Sequence, residues 1–231
     1  MKKRIKNKKR NKFQKIFDLR YFFYDFVKYT GAPTALPIIR LKRYYKAGKK
    51  PKGLYKGSYI IVSNHPTFID PIILSIAFWK RRVSFIATTD LFSTKLRRFF
   101  FNSVRMIPID KQNVKMETIK RVKDVIDSGH LVLIFPEGHV QKSGEVAEYK
   151  QGAVMLAMLT KSPLLPVYIK KREKWWQLQR VIIGDKININ DYIDSNIPTM
   201  EDINKVTQIL KQEEDLLAKL MNTKEKKDVS K

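Results

Sequence analysis

Short apolar runs alternate along this chain with longer stretches in which apolar residues recur every three or four positions. The short runs, rich in β-branched residues, predict strands at Tyr59 to Val62, Val83 to Ala87, Arg105 to Ile109, Leu131 to Phe135, Leu164 to Ile169 and Arg180 to Ile183. The longer stretches predict helices at Phe13 to Tyr29, Asp70 to about Trp79, Asp90 to Asn102, Val114 to Ser128, Gln151 to Thr160 and Thr199 to Asn222. Punctuation agrees with several of these. Asp70-Pro71 reads as an N-cap followed by a first-turn proline, and Gly129 as a C′ stop. Thr199 with Asp202 approximates a capping box. Gly31, Pro33 and Pro37 are expected to interrupt the first helix. Strand and helix in alternation predict an α/β fold: a mixed, partly parallel sheet flanked by helices. In such sheets functional groups collect at the carboxyl ends of strands, and His65, Lys111 and Glu137 each follow a predicted strand.

The N-terminal part departs from this pattern. Phe13, Ile16, Phe17, Phe23, Tyr24 and Val27 lie at helical spacing among charges, and a second apolar piece runs from Ala35 to Leu41. Such short, aromatic, lysine-flanked elements suit a helix lying in a membrane interface. The expected organisation is a basic tail at 1–12, an amphipathic membrane-associating segment at 13–56, an α/β domain at 57–222 and a polar tail at 223–231. The Asp90 to Asn102 helix and the pair Trp175-Trp176, set among Lys170, Lys171, Arg172 and Lys174, have the same interfacial character.

Charge sharpens that reading. The net charge is +25, with eight Lys/Arg and no acid in Met1 to Lys12 and eight more without an acid in Arg40 to Lys56. An anionic membrane surface and nucleic acid are the polyanions that fit. No stretch is apolar enough to span a bilayer, and no signal-peptide pattern stands at the N-terminus. A peripheral or monotopic protein on the cytoplasmic face is therefore expected. Without cysteine there is no disulfide or thiolate site, and His65, His130 and His139 show no metal-binding spacing, so no metal is expected.

The chemistry centres on Ser58 to Pro71. His65 leaves the end of a predicted strand and Asp70 opens the next helix, so a bent connection can bring the two together. An imidazole takes a proton from an alcohol near neutral pH, and a carboxylate on its other nitrogen fixes the tautomer. The pair makes a general base for a hydroxyl. Ser63 beside it is a nucleophile candidate of lower weight. A strand cap followed by a helix cap is the plainer reading of the same residues.

Four blocks in order resemble the glycerophospholipid acyltransferases, most closely the 1-acylglycerol-3-phosphate O-acyltransferases. Asn64-His65 to Asp70 resembles the family's N-H-x-x-x-x-D; Arg105 to Lys111 resembles its G-x-x-x-[IV]-x-R. Phe135-Pro136-Glu137-Gly138 matches the first four letters of F-P-E-G-T-R-S, and Leu165-Pro166-Val167 resembles its apolar-P-[VI] block. The likeness covers about residues 57–185. It implies transfer of an acyl group from a thioester of coenzyme A or acyl carrier protein, as co-substrate and without a cofactor, to a lysophospholipid hydroxyl, yielding phosphatidic acid. It implies His65 as base and Asp70 as its orienter, with Asn64, Arg105, Lys111, Glu137, Gly138 and His139 around the substrates. Arg105 stands where the family favours Gly, Lys111 where it favours Arg, and His139-Val140 where Thr-Arg is usual. Lysine keeps charge but not bidentate phosphate recognition. A different lysolipid or hydroxyl acceptor therefore stays open. A nucleic-acid-binding protein, the second class the charge allows, leaves the four ordered blocks unexplained and is not expected.

Overall fold

The computed structural model describes residues 21–110, 115–138, 151–192 and 198–229. Its centre is a seven-stranded sheet in the order β1-β7-β6-β2-β5-β3-β4. The strands are β1 (Leu41–Tyr45), β2 (Ile60–Ser63), β3 (Val83–Thr88), β4 (Ile107–Ile109), β5 (Leu131–Ile134), β6 (Leu164–Lys170) and β7 (Gln179–Ile183). β6, β2, β5, β3 and β4 run parallel; β7 is antiparallel to β6 and β1 is parallel to β7. The predicted mixed, partly parallel sheet is thus present.

Alternation along the central strands divides the core. Ile60 and Val62 of β2 and Val132 and Ile134 of β5 face one side, with α4 (Met116–Asp127), α5 (Gly152–Thr160) and α6 (Met200–Val229). Ile61, Leu131 and Leu133 face the other, with α2 (Asp70–Ala77) and the end of α1 (Phe22–Ile39). Side chains on successive strand residues point to opposite faces, so each strand serves both layers. α3 (Lys95–Ser103) lies on the α1 side, where Phe100 meets Phe23 with ring centroids 6.2 Å apart.

The N-terminal segment differs most from expectation. α1 runs unbroken through Gly31, Pro33 and Pro37. Anchoring at both ends offsets the poor propensity of these residues. At the start, the buried Tyr24 hydroxyl accepts from Val83 N at 3.0 Å, and Asp25 pairs with Arg82. At the other end Ile39 enters the core, and Arg40 at φ 45 donates its N–H to the Leu36 carbonyl and stops the helix. Leu41–Tyr45, expected within the amphipathic segment, is the sheet's edge strand, so the sheet begins well before residue 57. At the other end of the chain the polar residues after Asn222 continue α6 to Val229.

Local signals explain the remaining boundaries. The Asp90 to Asn102 helix is split into a 3-10 turn at Thr89–Phe92 and α3, because Thr94 caps the second piece by accepting from Arg97 N. Gly129 at φ 83 ends α4 with its N–H on Ile126 and that of His130 on Val125, the paired bonds of a Schellman motif. Thr199 and Asp202 form the predicted capping box, each side chain accepting from the other's backbone N–H.

Candidate active site

β2 and β5 are neighbours and parallel, so their carboxyl ends open on the same rim. Beyond Ser63 the chain turns through Asn64, His65, Pro66 and Thr67 before α2 begins. The turn closes on the Asp70 carboxylate, which is fully buried. It accepts from His65 Nδ1 at 2.8 Å, Thr67 N at 2.7 Å and Thr67 Oγ1 at 2.5 Å. A carboxylate only accepts. With both Thr67 donors on it, the His65 contact assigns the ring proton to Nδ1 and a lone pair to Nε2. Nε2 has no partner among the described residues. Asp70 does not cap its own helix: Ile69 is the N-cap and the Asp70 side chain points back into the turn.

The turn after β5 supplies the other wall. Gly138, at φ 69, donates its N–H to the Phe135 carbonyl at 3.1 Å. This sets the Phe135 ring flat against the imidazole, centroids 4.0 Å apart and planes 12° from parallel. Asp70 at the ring edge and Phe135 on its face leave the imidazole little freedom to tilt. Glu137 Oε2 accepts from His65 N at 3.4 Å and is 3% exposed. Burial pushes its carboxyl up to about 7, against the pull of the His65 N–H and imidazole, with the Asp70 charge adding to the rise. From α6, Glu214 joins the group. Burial pushes it up to about 8, with the charges of Glu137 and Asp215 adding and Lys211 opposing.

Two residues expected around the substrates are engaged elsewhere. Asn64 is buried, its Nδ2 donating to the Ile169 carbonyl at 2.9 Å and its Oδ1 accepting from Ile169 N at 2.8 Å. Its carboxamide extends the β2–β6 pairing by one step, so it fixes the residue before His65 instead of facing a ligand. Arg105 precedes β4 and lies at the amino edge of the sheet, its guanidinium 5.0 Å from the Tyr21 ring centroid. The same ring meets Arg82, before β3, and His130, before β5. That edge is opposite the His65 rim. Arg105 is also the C′ residue of α3, at φ 61, with its N–H on Asn102 and that of Met106 on Phe101. Gly138 lies in the turn beside His65. Lys111 and His139 lie outside the described residues.

Thr67, Phe135 and Glu214 were not singled out as site residues from the sequence. Thr67 stands three residues before Asp70, the spacing of a hydroxyl-to-carboxylate turn, and that signal was available. Phe135 read as the end of an apolar run and as the first letter of the Phe-Pro-Glu-Gly block, with no role of its own. Nothing local marks Glu214, whose charge and that of Glu137 act on each other from a distant helix.

A turn holding an imidazole on a buried carboxylate, facing a second turn that reads Phe-Pro-Glu-Gly, suits removal of a proton from an acceptor at the edge of an α/β sheet. Residues 41–170, more than half of the chain, match the pattern of the family described as Acyltransferase, and the chain belongs to that family of enzymes. The 1-acyl-sn-glycerol-3-phosphate acyltransferase of Bacillus subtilis is 26% identical over 159 residues, covering 67% of this chain and 78% of that protein. The Helicobacter pylori protein of the same name is 32% identical over 104 residues, 44% of each. The crystal structure of the 1-acyl-sn-glycerophosphate acyltransferase PlsC from Thermotoga maritima superposes with a TM-score of 0.58 at 18% identity, covering 89% of this chain and 86% of that one. At that identity the likeness concerns the fold.

Proposed function

We propose that the chain moves a fatty acyl group from a thioester of coenzyme A or acyl carrier protein to the free hydroxyl of 1-acylglycerol-3-phosphate, forming phosphatidic acid. The observation that carries this reading is His65 Nδ1 on the buried Asp70 carboxylate, with Nε2 left to take a proton. The acceptor hydroxyl gives its proton to Nε2 as its oxygen attacks the thioester carbonyl. The tetrahedral intermediate collapses, the C–S bond breaks, and the thiolate leaves and takes the proton from the imidazolium. Asp70 stabilises that imidazolium between the two transfers. Glu137 and Gly138 shape the acceptor pocket, and Lys111 and His139 join them at the phosphate.

The reaction takes place at an anionic membrane surface, on its cytoplasmic face. Phe22, Phe26, Tyr29 and Leu36 form one exposed stripe along α1, and Phe68 beside His65 is 86% exposed. Apolar patches of this kind mark interaction surfaces. No helix among the described residues is long and apolar enough to cross a membrane. Acyl transfer to another lysolipid is the second reading, favoured by the position of Arg105 at the far edge, where it offers no charge to a phosphate at the rim.

His65→Ala in the full chain tests the assignment. With a panel of lysolipids and one acyl thioester, thiol release and product mass are expected to fall about 10³-fold while far-ultraviolet circular dichroism is unchanged. Turnover comparable to that of the unsubstituted chain would remove His65 as base.

A further inference from the structure

We propose that the β6–β7 hairpin is a second membrane contact, which binds anionic phospholipid headgroups and seats Trp175 and Trp176 at headgroup depth. The inference rests on the membrane-surface reading above and assigns it a site apart from the α1 stripe. The hairpin leaves β6 at Lys170 and returns into β7 at Gln179. Trp175 is 72% exposed and Trp176 53% exposed, large values for indoles. They touch edge to face with centroids 5.8 Å apart, and Lys174 Nζ lies 5.4 Å from the Trp176 ring centroid.

The hairpin is built, not merely extended. Arg172 Nη1 donates to the Trp175 carbonyl at 2.9 Å, and the Gln177 side chain accepts from Glu173 N at 3.1 Å and Lys174 N at 3.2 Å. It is also tied to α1. Arg40 Nη1 donates to the Trp176 carbonyl at 3.2 Å, and Arg172 Nη1 reaches the Ile38 carbonyl at 3.4 Å. Exposed Ile38 continues the apolar surface from the indoles onto the end of the helix.

Charge selects the occupant. At the hairpin's base a cleft is lined by Lys170, Lys171, Arg172, Gln177 and Arg180, with Glu173 and Glu225 as its acids. Glu225 pairs with Lys170 and Arg180. Lys171 and Lys174 have no acidic partner among the described residues. Cations beside paired tryptophans match a headgroup layer, where indoles settle and each Lys or Arg raises partition about fivefold. Asn64 bonds to Ile169, one residue before the hairpin, so a headgroup held there lies beside the His65 rim.

The test uses the full chain with vesicles of phosphatidylcholine, with and without phosphatidylglycerol, read by co-sedimentation. Lys171→Ala/Lys174→Ala is expected to lower partition onto the anionic vesicles about 25-fold and onto neutral ones little. Trp175→Ala/Trp176→Ala is expected to lower both. In a Trp79→Phe background, brominated lipid is expected to quench the remaining fluorescence. Unchanged partition with no quenching overturns the proposal. So does unchanged partition with a raised KM for the acyl thioester in detergent micelles, which would make the cleft a donor site. Neither outcome touches the role of His65, which the alanine variant above tests separately.

Discussion

At the scale of single residues, the least expected property is the raised pKa of Glu137. Its carboxyl, raised from the ordinary value of 4.5 to about 7, stays protonated in the folded chain where the unfolded chain has released its proton. The folded state therefore binds more protons between pH 4.5 and pH 7, and this group's contribution to stability declines as pH rises through that window. Glu137→Gln removes the titration. Urea unfolding is expected to find the variant more stable than the parent at pH 8 by about 2 kcal/mol, with little difference at pH 4. A gain that is equal at both pH values would show that burial of charge is not its cause. Sequence made His65 and Asp70 readable because strand end, prolines and helix start all lie within one short stretch. It did not separate Asn64, whose carboxamide serves Ile169 across 105 residues of chain. Arg105 misled in another way. Its left-handed backbone costs about 1 kcal/mol, and stacking on Tyr21 returns a similar amount. Its backbone closes a helix end and its charge lies over Tyr21, at the edge opposite the His65 rim.

Elements show the same division between local and distant causes. The capping box of α6 was legible because its signal spans four positions, and Thr199→Ala is expected to cost about 1 kcal/mol, read as a lower urea midpoint at unchanged slope. The slope matters, since fraying of the first turn alone should not alter the surface exposed on unfolding. α1 was misjudged because proline rules are local, whereas Tyr24, the Asp25–Arg82 pair and Ile39 hold both ends of that helix from the sheet. β1 escaped notice because its pattern, Leu-Lys-Arg-Tyr-Tyr, is that of a half-exposed edge strand with cations. Only its pairing with β7, contributed from more than a hundred residues away, makes it a strand. The buried runs of β2 and β5 needed no such help.

For the whole molecule, the two faces are unlike. Among the described residues, exposed aromatics belong to α1, the turn before α2, α3 and the β6–β7 hairpin. α4, α5 and α6 expose Met116, Leu159, Met200 and Leu216 but no large ring. Pairing of helices to the two sides of the sheet follows from the order of the parallel strands, and sequence predicted the helices. It could not say which apolar residues would be left uncovered, because that depends on what each helix packs against. Removing α1 to test its part in lipid binding would also strip Ile39 from the core, so substitution within its stripe is the cleaner probe.

The lopsided surface has a consequence for the purified protein. In lipid-free buffer the matching apolar surface among the described residues is the same face of another copy. Light scattering is expected to show reversible association that grows with concentration and disappears in mild detergent, and Phe22→Ser/Phe26→Ser should weaken it. Copies paired in this way would cover each other's rims, so specific activity should fall as the enzyme is concentrated and recover when micelles are supplied.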